Sequence, residues 1–382
     1  MPLIQLKLKP GIDREVTDFS GEGGYWDCDK VRFRAGYPEK IGGWTLYSAS
    51  EFWGVCRSWM TFRCNCGAIL SAFGTNLKFY VESGGNYNDV TPIQDTNTLA
   101  SNAFTTDTAT PTVIYVNDAG YSPGTNDFVT ISGASDFNGV PAAEINGEHQ
   151  VTSVSATQYK FTITTVPTSS GTGGSCTAAY QVVTGNSIYT LGTGWGASTW
   201  SRSTWGSGAT VGVGQQLRIW NVDNYGEDLI FGPRGGGLYY WAYDAGAGLT
   251  TRGELISGMV GANYVPTYQN YILVSDQSRF VVTLGSNDYG SADADPMLVR
   301  WSDQENYLEW EPTALTQAGS QILSIGSQLI TAVQTRQEIL IWTDSALYNM
   351  QYLGSPYVWG FNIMMSNISI MSPGCAITVN NI

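Results

Sequence analysis

The residues best suited to chemistry in this sequence are five acidic residues between positions 276 and 311. They are Asp276, Asp303, Glu305, Glu309 and Glu311. Glycoside hydrolases use two Asp or Glu side chains around the scissile bond, one as a general acid and one as a base or nucleophile. Neighbouring Trp and Tyr rings would then stack on sugar rings. One hypothesis is therefore a carbohydrate-active or carbohydrate-binding protein, while turn preference is the simpler explanation for an Asp in a hairpin turn.

Two further motifs do not support catalysis. The glycine-rich stretch at 232–237 lacks the Gly-Lys-Ser/Thr ending that holds phosphate, so a hairpin turn explains it better. The single histidine, His149, has no Ser or Cys in a triad-like pattern. These observations predict that the protein is not an enzyme and that it needs no cofactor.

The cysteines do not form a recognisable framework. Six are scattered along the chain, at Cys28, Cys56, Cys64, Cys66, Cys176 and Cys375. The close pair around Asn65 hints at a metal site, but His149 is remote and no second pair has zinc spacing. We therefore expect buried free thiols, with neither a metal site nor a disulfide framework.

The composition is that of a turn-rich β protein. Charged residues make up 13% of the 382 residues, against roughly 25% in typical proteins, and aromatic residues reach 13% with 45 glycines. The hydrophobic fraction of 42% excludes a mainly disordered chain. The length allows two or three domains.

The net charge of −14 is unevenly distributed. Residues 1–63 hold nine of the 18 basic residues and eight of the 32 acidic ones, so 9 basic residues face 24 acidic ones in the remainder. Such a surface should not grip DNA by neutralising phosphates. It suits a passage for a polyanion, although solubility alone also explains it. The start of the chain lacks a signal peptide, and no apolar run approaches the ~18 residues of a membrane span.

Apolar runs broken by short polar turns predict β-hairpins along the chain. The clearest hairpins join residues 68–73 to 77–81, 229–231 to 238–241, 271–274 to 279–284, and 339–342 to 346–350. Residues 328–333 predict a further strand. The turns at Gly232 and Asp276 are 44 residues apart, and propeller blades repeat at roughly 40–50 residues. We predict an all-β fold with an incomplete β-propeller-like body of four to five blades; a β-sandwich is the alternative.

The predicted organisation has five parts. These are an N-terminal arm (1–44), a first propeller blade (45–94), an inserted small β-domain (95–183), a Gly/Ser/Trp-rich loop (184–214) and the remaining blades (215–382). Residues 95–110 lack periodicity and predict a linker, and strands follow at 112–116, 128–131, 150–154 and 158–163. Residues 372–380 predict a turn and then a strand.

The arm contains three candidate subunit-interface residues, Arg14, Arg32 and Arg34. Val31–Arg34 alternates apolar and basic residues, which suits a strand with one charged face. Its arginines would contact acidic residues of a partner subunit, or form local ion pairs that contribute little to stability.

The loop contains three more candidates. Trp195, Trp200 and Trp205 recur every five residues, which matches neither a strand nor a helix. Exposed indole rings are unfavourable in water, so we expect them to dock on the propeller or on a neighbouring subunit.

The arm and the Trp301–Tyr352 block together resemble the packaged-DNA stabilisation, or tail nozzle, proteins of short-tailed bacteriophages. The similar stretches are Pro10–Arg14, Gly23–Arg34, Pro38–Trp44, Arg300–Asn306, Glu338–Met350, Gly354–Gly360 and Asn367–Pro373. None of them is a catalytic signature.

This resemblance implies a structural virion protein of a phage tail. Six copies would form a ring beneath the portal and adaptor proteins, near tail fibres, and would retain packaged double-stranded DNA and conduct it at ejection without sequence-specific binding. Assembly would take place in the host cytoplasm, and the channel-lining residues stay unassigned. Because tail proteins sometimes digest host surface polysaccharide, the carbohydrate hypothesis is the alternative.

Overall fold

In a computed structural model, the chain is described for residues 8–17, 19–43, 45–121, 123–183, 217, 219–243 and 248–378. The described residues form 27 strands in seven sheets and very little helix, so the all-β prediction is confirmed. The chain divides into two compact units, Met1–Ala49 and Ser50–Ile382.

The first unit contains one antiparallel hairpin. It pairs β1 (Val31–Arg34) with β2 (Tyr37–Lys40). The predicted alternation at Val31–Arg34 is confirmed, because Val31 and Phe33 are half-buried while Arg32 and Arg34 are exposed. Tyr25 packs against Phe33 with ring centroids 5.2 Å apart.

The second unit begins with a four-stranded antiparallel meander, here called blade A. Its strands are β3 (Cys56–Arg63), β4 (Ile69–Thr75), β5 (Phe79–Ser83) and β6 (Asn86–Asp89).

An inserted module follows, with nine strands and one short helix. Its elements are β7 (Ile93–Leu99), β8 (Phe104–Thr106), β9 (Val113–Asn117), β10 (Phe128–Ser132), α1 (Ala142–Ile145), β11 (Gly147–Gln150), β12 (Thr152–Ser155), β13 (Gln158–Thr162), β14 (Gly171–Gly173) and β15 (Cys176–Gln181). They form a sheet of order β11-β10-β15-β7 and a sheet of order β12-β13-β9-β8-β14. The sheets share an apolar core that includes Phe104, Ile114, Tyr159 and Ala178.

Three more four-stranded meanders complete the second unit. Blade B contains β16 (Trp220–Tyr225), β17 (Asp228–Pro233), β18 (Tyr239–Trp241) and β19 (Glu254–Leu255), followed by a 3-10 turn at Ile256–Gly258. Blade C contains β20 (Tyr271–Val274), β21 (Val281–Leu284), β22 (Leu298–Trp301) and β23 (Gly319–Ile322). Blade D contains β24 (Leu329–Gln334), β25 (Ile339–Thr343), β26 (Ala346–Gly354) and β27 (Val358–Ser366), and a 3-10 turn follows at Pro373–Cys375.

These meanders confirm the β-propeller-like body, with four blades in the described residues. Each blade pairs its strands in chain order, as propeller blades do. Successive blades pack face to face on one another through shared apolar clusters.

Blades A and B pack through aromatic rings. Phe79 stacks on Phe231 with ring centroids 4.3 Å apart, and Trp220 lies 5.1 Å from Phe79. Trp220 also packs directly on Gly74, where a Cβ atom would lie 2.4 Å from the indole. Only glycine therefore allows this approach of the two blades.

Blades B, C and D continue the same packing. Leu238 of blade B and Ile272 of blade C share a cluster with the buried Trp310. Trp301 of blade C and Ile341 of blade D belong to another apolar cluster. Each fully buried side chain of this kind contributes roughly 1.5–3 kcal/mol, so these clusters hold the blades in sequence.

Three predictions about local structure were wrong. Residues 95–110 are not a linker, because β7 and β8 occupy much of that stretch. β7 is a polar edge strand with one exposed face, so it carries no apolar alternation. At 372–380 the predicted turn is present as a 3-10 turn at residues 373–375, but the strand predicted after it is not formed at 376–378, and 379–380 lie outside the described residues.

The third correction concerns the cysteines. Cys64 and Cys66 form a disulfide at the turn between β3 and β4, where their Cα atoms are 5.2 Å apart. That separation is normal for a disulfide, and the turn brings the two side chains together. Cys56 and Cys375 are exposed thiols, while Cys176 is buried as predicted.

The helices of the described residues are short, and none has the length and hydrophobicity needed to cross a bilayer.

Candidate functional site

The structure separates the five acidic residues singled out above into three places. Glu309 and Glu311 meet at the side chain of Asn263. Asp303 and Glu305 line a separate surface depression. Asp276 lies in the turn between β20 and β21, where its backbone N–H donates to Gln334 Oε1 at 3.2 Å.

Glu309 and Glu311 are held together by one amide group. Asn263 Nδ2 donates to Glu309 Oε1 at 3.0 Å and Oε2 at 3.2 Å, and to Glu311 Oε2 at 2.8 Å. The backbone N–H of Glu311 donates to Glu309 Oε1 at 2.9 Å. A single nitrogen atom, Asn263 Nδ2, therefore bridges the two carboxylate groups.

Backbone pairing places Asn263 beside Glu309. The N–H of Asn263 donates to the carbonyl of Leu308 at 2.8 Å, and the N–H of Trp310 donates to the carbonyl of Asn263 at 3.0 Å. Asn263 and Glu309 thus form an isolated parallel bridge. The bridge joins the segment before blade C to the long loop between β22 and β23.

Two tyrosines lie beside this amide. The rings of Tyr264 and Tyr289 are 4.3 Å apart between centroids, and the two residues are 48% and 39% exposed. Tyr289 Oη donates to Glu311 Oε1 at 2.9 Å, and this hydrogen bond raises the pKa of Tyr289 above its ordinary value. Tyr264 has a φ of 51°, a left-handed conformation that is costly for a bulky residue.

Arg300 holds the backbone beneath the tyrosines. It is 2% exposed, and Nη1 donates to the carbonyl of Asn287 at 3.0 Å. Nη2 donates to the carbonyls of Tyr264 at 2.8 Å and Trp310 at 3.3 Å. The guanidinium also lies 5.7 Å from the Trp310 ring. Burial lowers the pKa of Arg300 to about 10, so it remains charged at neutral pH.

We call the set Asn263, Tyr264, Tyr289, Glu309 and Glu311 the Tyr–Glu site. It combines exposed aromatic faces with carboxylate oxygens, which accept hydrogen bonds from hydroxyl or ammonium groups. Both oxygens of Glu309 already accept N–H donors. The geometry is suited to binding groups that donate hydrogen bonds.

The depression beside Asp303 is open and polar. It has a volume of about 420 Å³ and is lined by Asp303, Gln304, Glu305, Leu315 and Gln317. Asp303 Oδ1 accepts the backbone N–H of Gln317 at 2.7 Å. The Asp303 carboxylate therefore also holds the loop between β22 and β23 through a contact across 14 residues.

The predicted interface residues lie in two parts of the chain. Arg14 pairs with Asp27 at 2.8 Å and Arg32 with Glu39 at 3.2 Å, and all four side chains are largely exposed. Arg34 is exposed. Trp195, Trp200 and Trp205 lie outside the described residues.

His149 has a structural place in the inserted module. Its ring stacks on Phe161 at 4.0 Å between centroids, and Nε2 lies 2.9 Å from the carbonyl oxygen of Ile145. Burial lowers the pKa of His149.

Sequence reasoning identified Glu309 and Glu311 but missed Asn263, Tyr264, Tyr289 and Arg300. One signal was present for Arg300, because an arginine inside the apolar strand β22 requires buried partners. The tyrosines had no such signal, since they come from separate loops that only the fold brings together.

Comparison with known proteins gives a structural likeness and no sequence match. The sequence matches no protein-family profile, and no curated protein matches it. The endosialidase of phage phi92 is similar in structure with probability 1.00 and a TM-score of 0.22, at 12% sequence identity. The alignment covers 83% of this chain and 48% of the endosialidase chain, so this chain spans about half the length of that protein.

Proposed function

We propose that this protein is a carbohydrate-binding component of a phage tail and that the Tyr–Glu site on blade C holds the saccharide. The observation that carries the binding proposal is the exposed Tyr264–Tyr289 pair beside two carboxylates gathered on one amide. The phage-tail setting is supported by the sequence resemblance of the arm and the Trp301–Tyr352 block.

The chemistry of the site matches that of a sugar. A sugar ring has an apolar face of C–H groups, which packs on aromatic rings, and an edge of hydroxyl donors, which carboxylates accept. Ligand sites typically combine such aromatic surface with a few fixed polar groups. In the Tyr–Glu site, Asn263 fixes the carboxylate of Glu311, and Arg300 fixes the backbone of Tyr264.

The first prediction concerns saccharide affinity. Replacing Tyr264 by alanine removes an exposed aromatic face, and Glu311→Ala removes a charged acceptor, so each should weaken binding about tenfold or more. Isothermal titration calorimetry against oligosaccharides from a glycan panel measures the change.

Tyr357→Ala is the matched control for these variants. Tyr357 is 77% exposed and lies between β26 and β27 of blade D, so its loss should leave affinity unchanged. Equal affinity of the wild type, Tyr264→Ala and Glu311→Ala for a bound glycan would refute this location of the site.

A second candidate function is the DNA conduit. It is favoured by the acidic surplus of the body of the chain, where 9 basic residues face 24 acidic ones after residue 63. An acidic surface suits a ring through which DNA passes without adhering. Such a ring would be a hexamer beside portal and adaptor proteins.

This second candidate predicts that the arm arginines contribute to assembly. Arg32→Glu combined with Arg34→Glu should lower the fraction of assembled rings at physiological salt, as measured by native mass spectrometry, because repulsion would replace attraction to a partner's acidic residues. Arg32→Glu with Glu39→Arg is the control, since it keeps the hairpin ion pair. Unchanged assembly of the Arg32→Glu/Arg34→Glu variant would remove the arm from the interface.

A further inference from the structure

We infer that the saccharide of the Tyr–Glu site carries protonated amino groups and that the site rejects sugars bearing carboxylates. This inference rests on the proposed function and specifies its ligand class. It follows from the acidic side chains near the tyrosines and from the hydrogen bonds of the buried Arg300, which are directed to backbone carbonyls.

Two acidic side chains belong to the Tyr–Glu site and a third adjoins it in sequence. Glu309 and Glu311 lie side by side on Asn263, and Tyr289 is bonded to Glu311. Asp288 precedes Tyr289 and is exposed. A carboxylate sugar placed on these tyrosines would meet like charges at short range, whereas an ammonium group would be attracted.

The nearby cation cannot offset this charge for a ligand. Arg300 is 2% exposed and directs its N–H donors to the carbonyls of Asn287, Tyr264 and Trp310. A bound sugar carboxylate therefore has no route to a direct hydrogen bond with the guanidinium. Arg300 positions the tyrosine backbone and leaves the surface of the site negative.

The carboxylates retain capacity for an ammonium donor. Each carboxylate oxygen offers about two lone-pair directions. Glu309 Oε2 and Glu311 Oε2 both accept Asn263 Nδ2, at 3.2 and 2.8 Å, and each keeps a second direction. An amino sugar can thus bond to this pair while its ring packs on a tyrosine face.

Calorimetry with three tetrasaccharides tests the ligand class. The probes are a glucosamine tetramer, its fully N-acetylated form and a sialic acid tetramer, each titrated at pH 6 in low and high salt. We expect the affinity for the glucosamine tetramer to exceed that for the N-acetylated form about tenfold or more. This affinity should fall at high salt. The sialic acid tetramer should show no binding.

Variants separate the site from the general negative charge of the protein. Glu309→Gln with Glu311→Gln should abolish the preference for the glucosamine tetramer. Asp95→Asn with Asp107→Asn removes two exposed charges from the inserted module and should preserve the preference. A preference that survives the first pair of substitutions, or a sialic acid tetramer that binds as tightly as the glucosamine tetramer, overturns the inference.

The same data distinguish failure of this inference from failure of the proposed function. If glucosamine and N-acetylated tetramers bind equally and Tyr264→Ala weakens both, the site binds sugar but the ligand class is wrong. If binding of every probe survives Tyr264→Ala, the proposed function itself is wrong at this site and the inference falls with it.

Discussion

Replacing Lys78 by methionine should lower the free energy of unfolding by about 3–5 kcal/mol, the cost of removing one partner from a buried ion pair. Lys78 is 1% exposed, and its ammonium donates to Asp89 Oδ2 at 2.7 Å and to Glu148. It also lies 4.4 Å from the Phe128 ring centroid. Methionine would leave the two carboxylates without their central cation.

The expected effect is large because this network joins three parts of the second unit. Asp89 ends blade A, Glu148 lies in β11 of the inserted module, and Arg252 precedes β19 of blade B. Arg252 pairs with Asp89 at 3.5 Å and Glu148 at 3.4 Å, and it donates to the carbonyl of Thr91 at 2.8 Å. Two cations and two carboxylates thus balance where the module meets the blades.

The stabilisation should depend on pH in a defined direction. Burial alone would raise the pKa of Asp89, but the charges of Lys78 and Arg252 outweigh it, so the pKa lies below its ordinary value. A carboxylate with a depressed pKa stabilises the fold above the unfolded-state value of about 3.9, and this contribution is lost as pH falls through the folded-state pKa. The difference in free energy of unfolding between wild type and Lys78→Met should therefore be largest at neutral pH and become smaller below about pH 4.

Denaturant unfolding followed by tryptophan fluorescence measures this prediction. Lys160→Met is the matched control, because Lys160 is half-buried in β13 and has no ion pair among the described residues. Adding Glu148→Gln to Lys78→Met should cost less than the sum of the two single changes, since the two side chains act together. A loss below about 1 kcal/mol for Lys78→Met, as for a surface pair, would contradict a buried network.

Replacing Arg300 by methionine should destabilise the protein by at least about 3 kcal/mol and abolish saccharide binding. Each buried carbonyl left without a donor costs about 1–3 kcal/mol, and Arg300 serves those of Asn287, Tyr264 and Trp310. Tyr264 should then leave its left-handed conformation, which would separate the rings of Tyr264 and Tyr289.

Arg300→Lys distinguishes geometry from charge. Lysine keeps the charge but lacks the planar fork that reaches several carbonyls at once, so it should recover only part of the stability. Circular dichroism at a temperature where Arg300→Lys is folded, together with calorimetry, separates folding from binding. Wild-type affinity in a folded Arg300→Lys variant would show that Arg300 does not position the site.

The blade hairpins were predictable because their determinants are local. Strand β25 is an apolar run followed by the Thr343-Asp344-Ser345 turn, in which Thr343 Oγ1 accepts the N–H of Ala346 at 2.8 Å. Asp344 also holds Ser327 through its carboxylate. Such turns depend on residues within a few positions, and sequence patterns report them directly.

The site and the network were not predictable because their partners are distant in sequence. Asn263 meets Glu311 across 48 residues, and Lys78 meets Glu148 across 70. The polar edge strand β7 was missed for a related reason, since pairing with β15 defines it and apolar alternation does not. No periodicity records such contacts, which arise only when the blades and the inserted module pack.

The most direct test of the account is a crystal structure of this chain with the glucosamine tetramer. We predict a sugar ring packed on Tyr264 or Tyr289, with an amino group within hydrogen-bond distance of Glu309 or Glu311. A tetramer bound on another blade or on the inserted module, with the Tyr–Glu site empty, would contradict it.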